Sequence, residues 1–233
     1  FNKASVVVST VQSLNAGKDG GRMAKFPPDE FSMLIIDECH HGTADSWRRV
    51  VNHFCKNLNL KVCGVTATPD RADEAALGQV FESVAFQYGL LDAIEDGWLC
   101  PVEQRMVNVE GLDLSAVHTT GGDLNGAELA AVMETEQNLH EIAGPTMELI
   151  ADRRTLVFAA SVAHAERLAE IFNRHRAGCA DWICGATPKD VRRKVLGEFQ
   201  SGKVQIVVNV GVLTEGFDNP SVEVVVMARP TKS

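Results

Sequence analysis

Residues 33–38 read Met-Leu-Ile-Ile-Asp-Glu, an apolar run that stops in two adjacent carboxylates, with Cys39 and His40 directly after. An apolar run of this kind suits a buried parallel strand, which leaves Asp37 and Glu38 at its carboxyl edge, where open α/β sheets bind ligands. Such a pair suits magnesium-assisted phosphate chemistry. Asp37 can hold the hydrated metal, and Glu38 can orient and polarise a water for attack on phosphorus. Taken alone, the pair has a plainer alternative: solvated acids where a strand turns into a loop. Two further stretches weigh against that. Thr66-Ala67-Thr68-Pro69 closes the next apolar run, and Thr214-Glu215-Gly216-Phe217-Asp218 follows a later one. The hydroxyls of Thr66 and Thr68 can bridge the acids and a neighbouring strand; the alternative is simple helix capping ahead of Pro69. Gly216 lets the backbone approach a phosphate, and Asp218 can accept from ribose hydroxyls. Thr10 and Thr214 can donate to nucleic-acid phosphates. The imidazole of His40 can accept at one nitrogen and donate at the other, which suits a relay.

These groups must be delivered on strand ends. Residues 6–9, 33–37 and 61–65 read as strands, and between the last two lies a helix with Trp47, Val50, Val51 and Phe54 at i, i+3, i+4, i+7. Residues 15–30, with Pro27-Pro28 and several glycines, form a polar connection. A short helix with Leu90, Leu91 and Ile94 on its apolar face stops at Gly97. Pro101 opens a new unit, so the domains are expected at 1–101 and 102–233. A strand is expected over 102–109, a mobile loop over 111–126, and helix over 127–152, broken or kinked at Gly144-Pro145. Strands at 156–160, 181–184, 205–209 and 223–227 then alternate with helices. One helix buries Ala165, Leu168, Ala169 and Phe172; the next, with Thr187 as N-cap, buries Val191, Val195 and Phe199. This alternation predicts an α/β fold with mostly parallel sheets.

Asp-Glu-Cys-His at 37–40, Thr-Ala-Thr-Pro at 66–69 and Leu-Thr-Glu-Gly-Phe-Asp-Asn-Pro at 213–220 resemble, in order, the second, third and fifth motifs of the superfamily 2 helicases and translocases, the DEAD/DEAH-box-like ATPases. Ser9-Thr10-Val11-Gln12-Ser13-Leu14 and Thr155-Leu156-Val157-Phe158 are weaker matches. The resemblance implies two RecA-like domains, with ATP and Mg2+ in the cleft between them and nucleic acid crossing both. It implies that Asp37 holds the metal, Glu38 activates water, and His40 senses the nucleotide. Thr66 and Thr68 would couple hydrolysis to domain movement, Gly216 and Asp218 would bind ATP, and Thr10 and Thr214 would bind nucleic acid. The forms Thr-Ala-Thr-Pro-Asp-Arg and Gly-Phe-Asp-Asn-Pro look most like the DNA-directed members: repair helicases and the motor subunits of type I and III restriction enzymes. DNA is therefore expected ahead of RNA, with a nuclease or modification subunit or domain in the full-length protein.

Two parts of that pattern are missing. A phosphate loop needs G-x-x-x-x-G-K-[ST], but around Gly17-Lys18 the pattern has Gln12 and Asp19. The sixth motif, with its arginine fingers, should follow residues 229–233. The chain is thus expected to be a piece of a longer protein, both domains truncated, that barely hydrolyses ATP alone. A non-hydrolytic nucleic-acid-binding scaffold derived from a motor is the alternative, with an RNA helicase as a third reading. No apolar run reaches the roughly 18 residues that suggest a membrane span. Six cysteines with no C-x-x-C pair suit reduced thiols in a cytoplasmic or nucleoid-associated protein. A zinc site from Cys179, Cys184 and a histidine lacks a recognisable spacing. The formal charge of −9 runs against the basic footprint usual in nucleic-acid binders. Arg48-Arg49, Arg153-Arg154 and Arg192-Arg193-Lys194 read first as solvated helix faces.

Overall fold

The computed structural model describes residues 4–17, 21–41, 45–68, 78, 80–214 and 216–231. The chain forms two compact units, Phe1–Val102 and Glu103–Ser233. In the first, strands β1 (Met33–Ile36) and β2 (Lys61–Gly64) pair in parallel, with Met33 opposite Lys61 and Ile36 opposite Gly64. Helix α1 (Val11–Asn15) precedes them, and α2 (Asp45–Phe54) connects them. Val50, Val51 and Phe54 of α2 are buried, as their spacing predicts. Val50 and Phe54 pack with Val11 and Met23, and Val51 packs with Ile36 and Cys39.

Three expectations for residues 1–109 change. Residues 6–9 form no strand; among the described residues β1 pairs only with β2. Helix α3 (Leu90–Glu95) forms, yet Leu90 and Leu91 are exposed and only Ala93 is buried. Residues 102–109 form no strand.

The second unit holds a parallel sheet in the order β6-β7-β5-β8: β5 (Thr155–Ala159), β6 (Ala180–Cys184), β7 (Ile206–Val210) and β8 (Val224–Ala228). Alternate residues feed two cores. Val157, Ile206 and Val208 face Leu139, Leu168 and Phe172, which come from α5 (Glu136–Ile150) and α6 (Val162–His175). Leu156, Ile183 and Val207 face Val195 and Phe199 of α7 (Lys189–Ser201). Burial on both faces is why these strands read as continuous apolar runs.

Local sequence rules yield here to packing. Helix α5 runs unbroken through Gly144-Pro145, because Ala143, Thr146 and Ile150 on either side are anchored in the core. Residues 111–126 are not a featureless loop. They contain an antiparallel hairpin, β3 (Thr119–Thr120) and β4 (Asp123–Leu124), leading into α4 (Gly126–Met133). Thr187 does not cap α7: Pro188 takes the cap position, and the Thr187 hydroxyl oxygen accepts the Cys184 N–H at 2.9 Å. Val191, in the first turn of the helix, is exposed, while Val195 and Phe199 further along the same face are buried. Cys179 and Cys184 flank the length of β6, about 16 Å apart at the strand rise of ~3.3 Å per residue, so they cannot share a metal.

Candidate functional site

The acid pair sits where β1 ends. Buried Ile36 fixes the strand, and the chain then turns with Glu38 at φ 47°, in the left-handed region that a non-glycine residue rarely adopts. The Glu38 N–H donates to Asp37 Oδ1 at 3.0 Å, which holds the turn. The Cys39 N–H donates to the Val65 carbonyl at 3.0 Å, extending the pairing of β1 with β2 past the acids. Cys39 is the anchor beneath them. Its sulfur packs over Gly64, where an added Cβ would lie 2.8 Å from Sγ and closer still to the Phe81 ring. Burial pushes the Cys39 thiol up, and the neighbouring Glu38 and Asp37 push it the same way, so it stays neutral.

His40 is buried and tied to the Thr66-Ala67-Thr68 segment. Its Nδ1 lies 2.9 Å from Thr66 Oγ1 and 3.4 Å from Glu38 Oε2. Thr66 Oγ1 also accepts the Thr68 N–H at 3.1 Å. His40 Nδ1 and Thr66 Oγ1 share one hydrogen bond, and the Glu38 carboxylate lies alongside it. The structure therefore brings Glu38, His40, Thr66 and Thr68 together beside Asp37. Pro69, Asp70 and Arg71 lie outside the described residues. Thr10 opens α1: its side chain accepts the Ser13 N–H at 3.1 Å, and the exposed hydroxyl keeps its own proton to donate.

In the second unit, Thr214, Gly216 and Asp218 lie exposed on the loop after β7; Glu215 is outside the described residues. Gly216 has φ 68° with open space around it, so its backbone is accessible. The loop is held from below by Asn209, which is fully buried. Asn209 Nδ2 donates to the Val157 carbonyl at 3.1 Å, and Oδ1 accepts the Leu213 N–H at 3.4 Å. Asn219 closes the far side, accepting the Ser221 N–H at 3.0 Å and its hydroxyl at 2.7 Å. Sequence reasoning passed over Asn209, although a lone amide within Ile-Val-Val-Asn-Val was a signal, because a buried amide must find partners. The basic clusters are partly spent on structure. Arg192 donates to the Cys184 and Gly185 carbonyls, and Arg153 to the Ile150 carbonyl.

The acids fit a hydrated magnesium ion. Asp37 is exposed and commits only Oδ1 to the Glu38 N–H. Among the described residues, no three His, Cys, Asp or Glu side chains converge as a cage. One or two carboxylates, with water and substrate phosphate completing the shell, is the usual arrangement for this cation. No described helix is long and apolar enough to cross a membrane.

Known proteins resemble this chain in both of its halves. Residues 1–71 match the family described as "Type III restriction enzyme, res subunit", and residues 123–233 match "Helicase conserved C-terminal domain". The chain is 31% identical over 237 residues to a putative ATP-dependent helicase, IRC3, of Saccharomyces cerevisiae, which spans 99% of this chain and 33% of that protein. The chain belongs to the superfamily 2 helicases. A further relative of this helicase chain is a type I restriction enzyme EcoAI endonuclease subunit of Escherichia coli, 28% identical over 77% of the chain and 23% of the relative. The fold matches that of S. cerevisiae Dbp5 bound to RNA and ADP BeF3, with a TM-score of 0.50 at 15% identity over 85% of this chain and 44% of that one. Both units are thus RecA-like α/β in kind. The chain spans about a third of the length of the two yeast helicases it matches.

Proposed function

We propose that this helicase chain is the core of an ATP-driven motor acting on DNA. The observation that carries the reading is that Glu38 lies 3.4 Å from His40, which is hydrogen-bonded to Thr66 and through it to Thr68, so an acid suited to water activation sits against a segment suited to reporting it. In the first unit Asp37 and Glu38 engage the phosphates of ATP, and in the second Gly216 and Asp218 engage nucleotide. Asp37 and the phosphates hold Mg2+, which when bound neutralises charge on the phosphates. Glu38 orients the attacking water and takes its proton. A change in the charge or position of Glu38 alters what His40 Nδ1 bonds to, and Thr66 passes that change to the residues after it. Gly216 offers its backbone to phosphate, and Asp218 accepts from the ribose. Thr10 and Thr214 donate to phosphates of the strand. The restriction-subunit family match over residues 1–71 favours DNA over RNA as the track, and a nuclease or modification subunit as partner. The 233 residues contain no G-x-x-x-x-G-K-[ST] segment, so the activity is assigned to the full-length protein.

The test is ATP turnover by the full-length protein with DNA, with RNA and with neither. Glu38→Gln should lower DNA-stimulated turnover by about 10²–10⁴-fold while ATP still binds. Turnover near the wild-type level would remove Glu38 from this role. Stimulation by RNA alone would overturn the assignment to DNA.

A further inference from the structure

The hairpin β3–β4 carries an acid, Asp123, whose partner is distant in sequence. Gly121 and Gly122 both have positive φ, 63° and 91°, and no side chain crowds either position. They form the two-residue turn that suits a tight antiparallel hairpin, with Thr120 opposite Asp123. Val117 and Leu124 on either side of the turn are buried in the main core, together with Ala228 at the end of β8. The hairpin is therefore a fixed platform beside the carboxyl end of that strand.

From this platform Asp123 reaches the chain leaving β8. Its Oδ2 accepts from Arg229 Nη2 at 3.0 Å, and its Oδ1 accepts the Thr231 hydroxyl at 3.2 Å and the Leu124 N–H at 2.8 Å. Both oxygens are used, so the carboxylate is locked in orientation and locks Arg229 in turn. The pair is partly open to water, with side-chain exposures of 46% for Arg229 and 27% for Asp123. Such a pair adds little to stability, and a structural purpose is a weak account of it. Beyond the Asp123 contact, the guanidinium makes no other hydrogen bond or ion pair among the described residues. Because β7, β5 and β8 run parallel, Arg229 stands on the same carboxyl edge as the loop bearing Gly216 and Asp218. A planar cation held at one corner, with its other N–H groups turned to solvent, is suited to a phosphate.

We propose that Asp123 is a positioning residue that holds Arg229 at the carboxyl edge of the second unit, where the remaining guanidinium N–H groups bind a phosphate of ATP or of DNA. The proposal rests on the motor reading above and names a contact that reading lacks. In the full-length protein, Arg229→Ala and Asp123→Asn should each raise either the KM for ATP or the half-saturating DNA concentration by about fivefold or more, with kcat changed less than about twofold. A shift in KM assigns the phosphate to ATP. A shift in the DNA requirement, with a shallower salt dependence, assigns it to the DNA backbone. Asp123→Asn should add nothing further once Arg229 is Ala, because it acts through that residue. Melting temperatures should stay near wild type.

Unchanged ATP and DNA requirements in both variants would overturn the proposal. So would additive effects in the double variant, or a loss of melting temperature that accounts for them. If the wild-type protein hydrolyses no ATP, the motor reading fails. Direct DNA titration and binding of a non-hydrolysable ATP analogue then still decide whether Arg229 binds phosphate.

Discussion

Two loops leave the carboxyl ends of parallel strands and carry the candidate chemistry, and they solve the backbone problem in opposite ways. After β1 the chain enters the left-handed region at Glu38, a residue that pays for that conformation. After β7 it does so at Gly211 and Gly216, where the conformation costs nothing. The first loop needs a carboxylate at the strained position, so a glycine there would discard the chemistry. The second needs an accessible backbone, so a side chain there would only obstruct. Strain is thus retained where a side chain acts and avoided where the main chain acts. The supports differ to match. A buried thiol under the acids fills the space that Gly64 leaves open. A buried amide, Asn209, holds the second loop by hydrogen bonds.

The largest expected effect separates the two units by acid. His164 is fully buried in the second unit, where Nδ1 accepts the Ala160 N–H at 3.1 Å. Burial pushes its pKa down to about 4; Glu134 opposes the shift and Arg167 adds to it. The unfolded chain binds this proton near pH 6.5 and the folded chain only near 4, so stability falls as pH drops through that window. The loss should reach about 3 kcal/mol at pH 4. Urea unfolding of wild type and His164→Asn across that range checks it: the variant, which keeps an acceptor for Ala160, should lose most of this dependence.

Next comes the support beneath the acids. Gly64→Ala forces Cys39 and Phe81 apart and should cost about 2 kcal/mol, with turnover falling because Cys39 carries Glu38 and His40 on either side. Denaturant midpoints and ATPase rates read both. A smaller pair of effects inverts the sign between the loops. Glu38→Gly should stabilise by about 1 kcal/mol while abolishing turnover, and Gly216→Ala should destabilise by about 1 kcal/mol. Equal signs would break the contrast. Last, a double-mutant cycle between His40→Ala and Thr66→Val should show a coupling of about 1 kcal/mol, the net worth of one hydrogen bond.

The legible parts of the fold were those where one periodicity dominates. Val50, Val51 and Phe54 declared α2, and Ala165, Leu168 and Phe172 declared α6, because each stripe meets a core. The place of Asp37 and Glu38 at a strand end was legible from residue type and position, whereas the roles expected of His40, Thr66 and Thr68 rest on the family resemblance. What local pattern could not show depended on distant partners. Residues 6–9 have strand composition but pair with no strand among the described residues. Pro145 fails to break α5 because the core holds the helix on both sides. The strands of the Gly121-Gly122 hairpin are two residues each, too short for alternation to register, and the partner of Asp123 lies more than a hundred residues away. Thr187 had cap chemistry but spends it on the Cys184 N–H.

The central claim of the proposal is that the acid turn of the first unit and the glycine loop of the second each engage ATP. Amide hydrogen exchange on the full-length protein, with and without a non-hydrolysable ATP analogue and Mg2+, tests this most directly. The account predicts slower exchange in peptides covering 37–40 and in peptides covering 211–218, with Asp37→Ala weakening the first and Asp218→Ala the second. Protection confined to one of the two segments would contradict it.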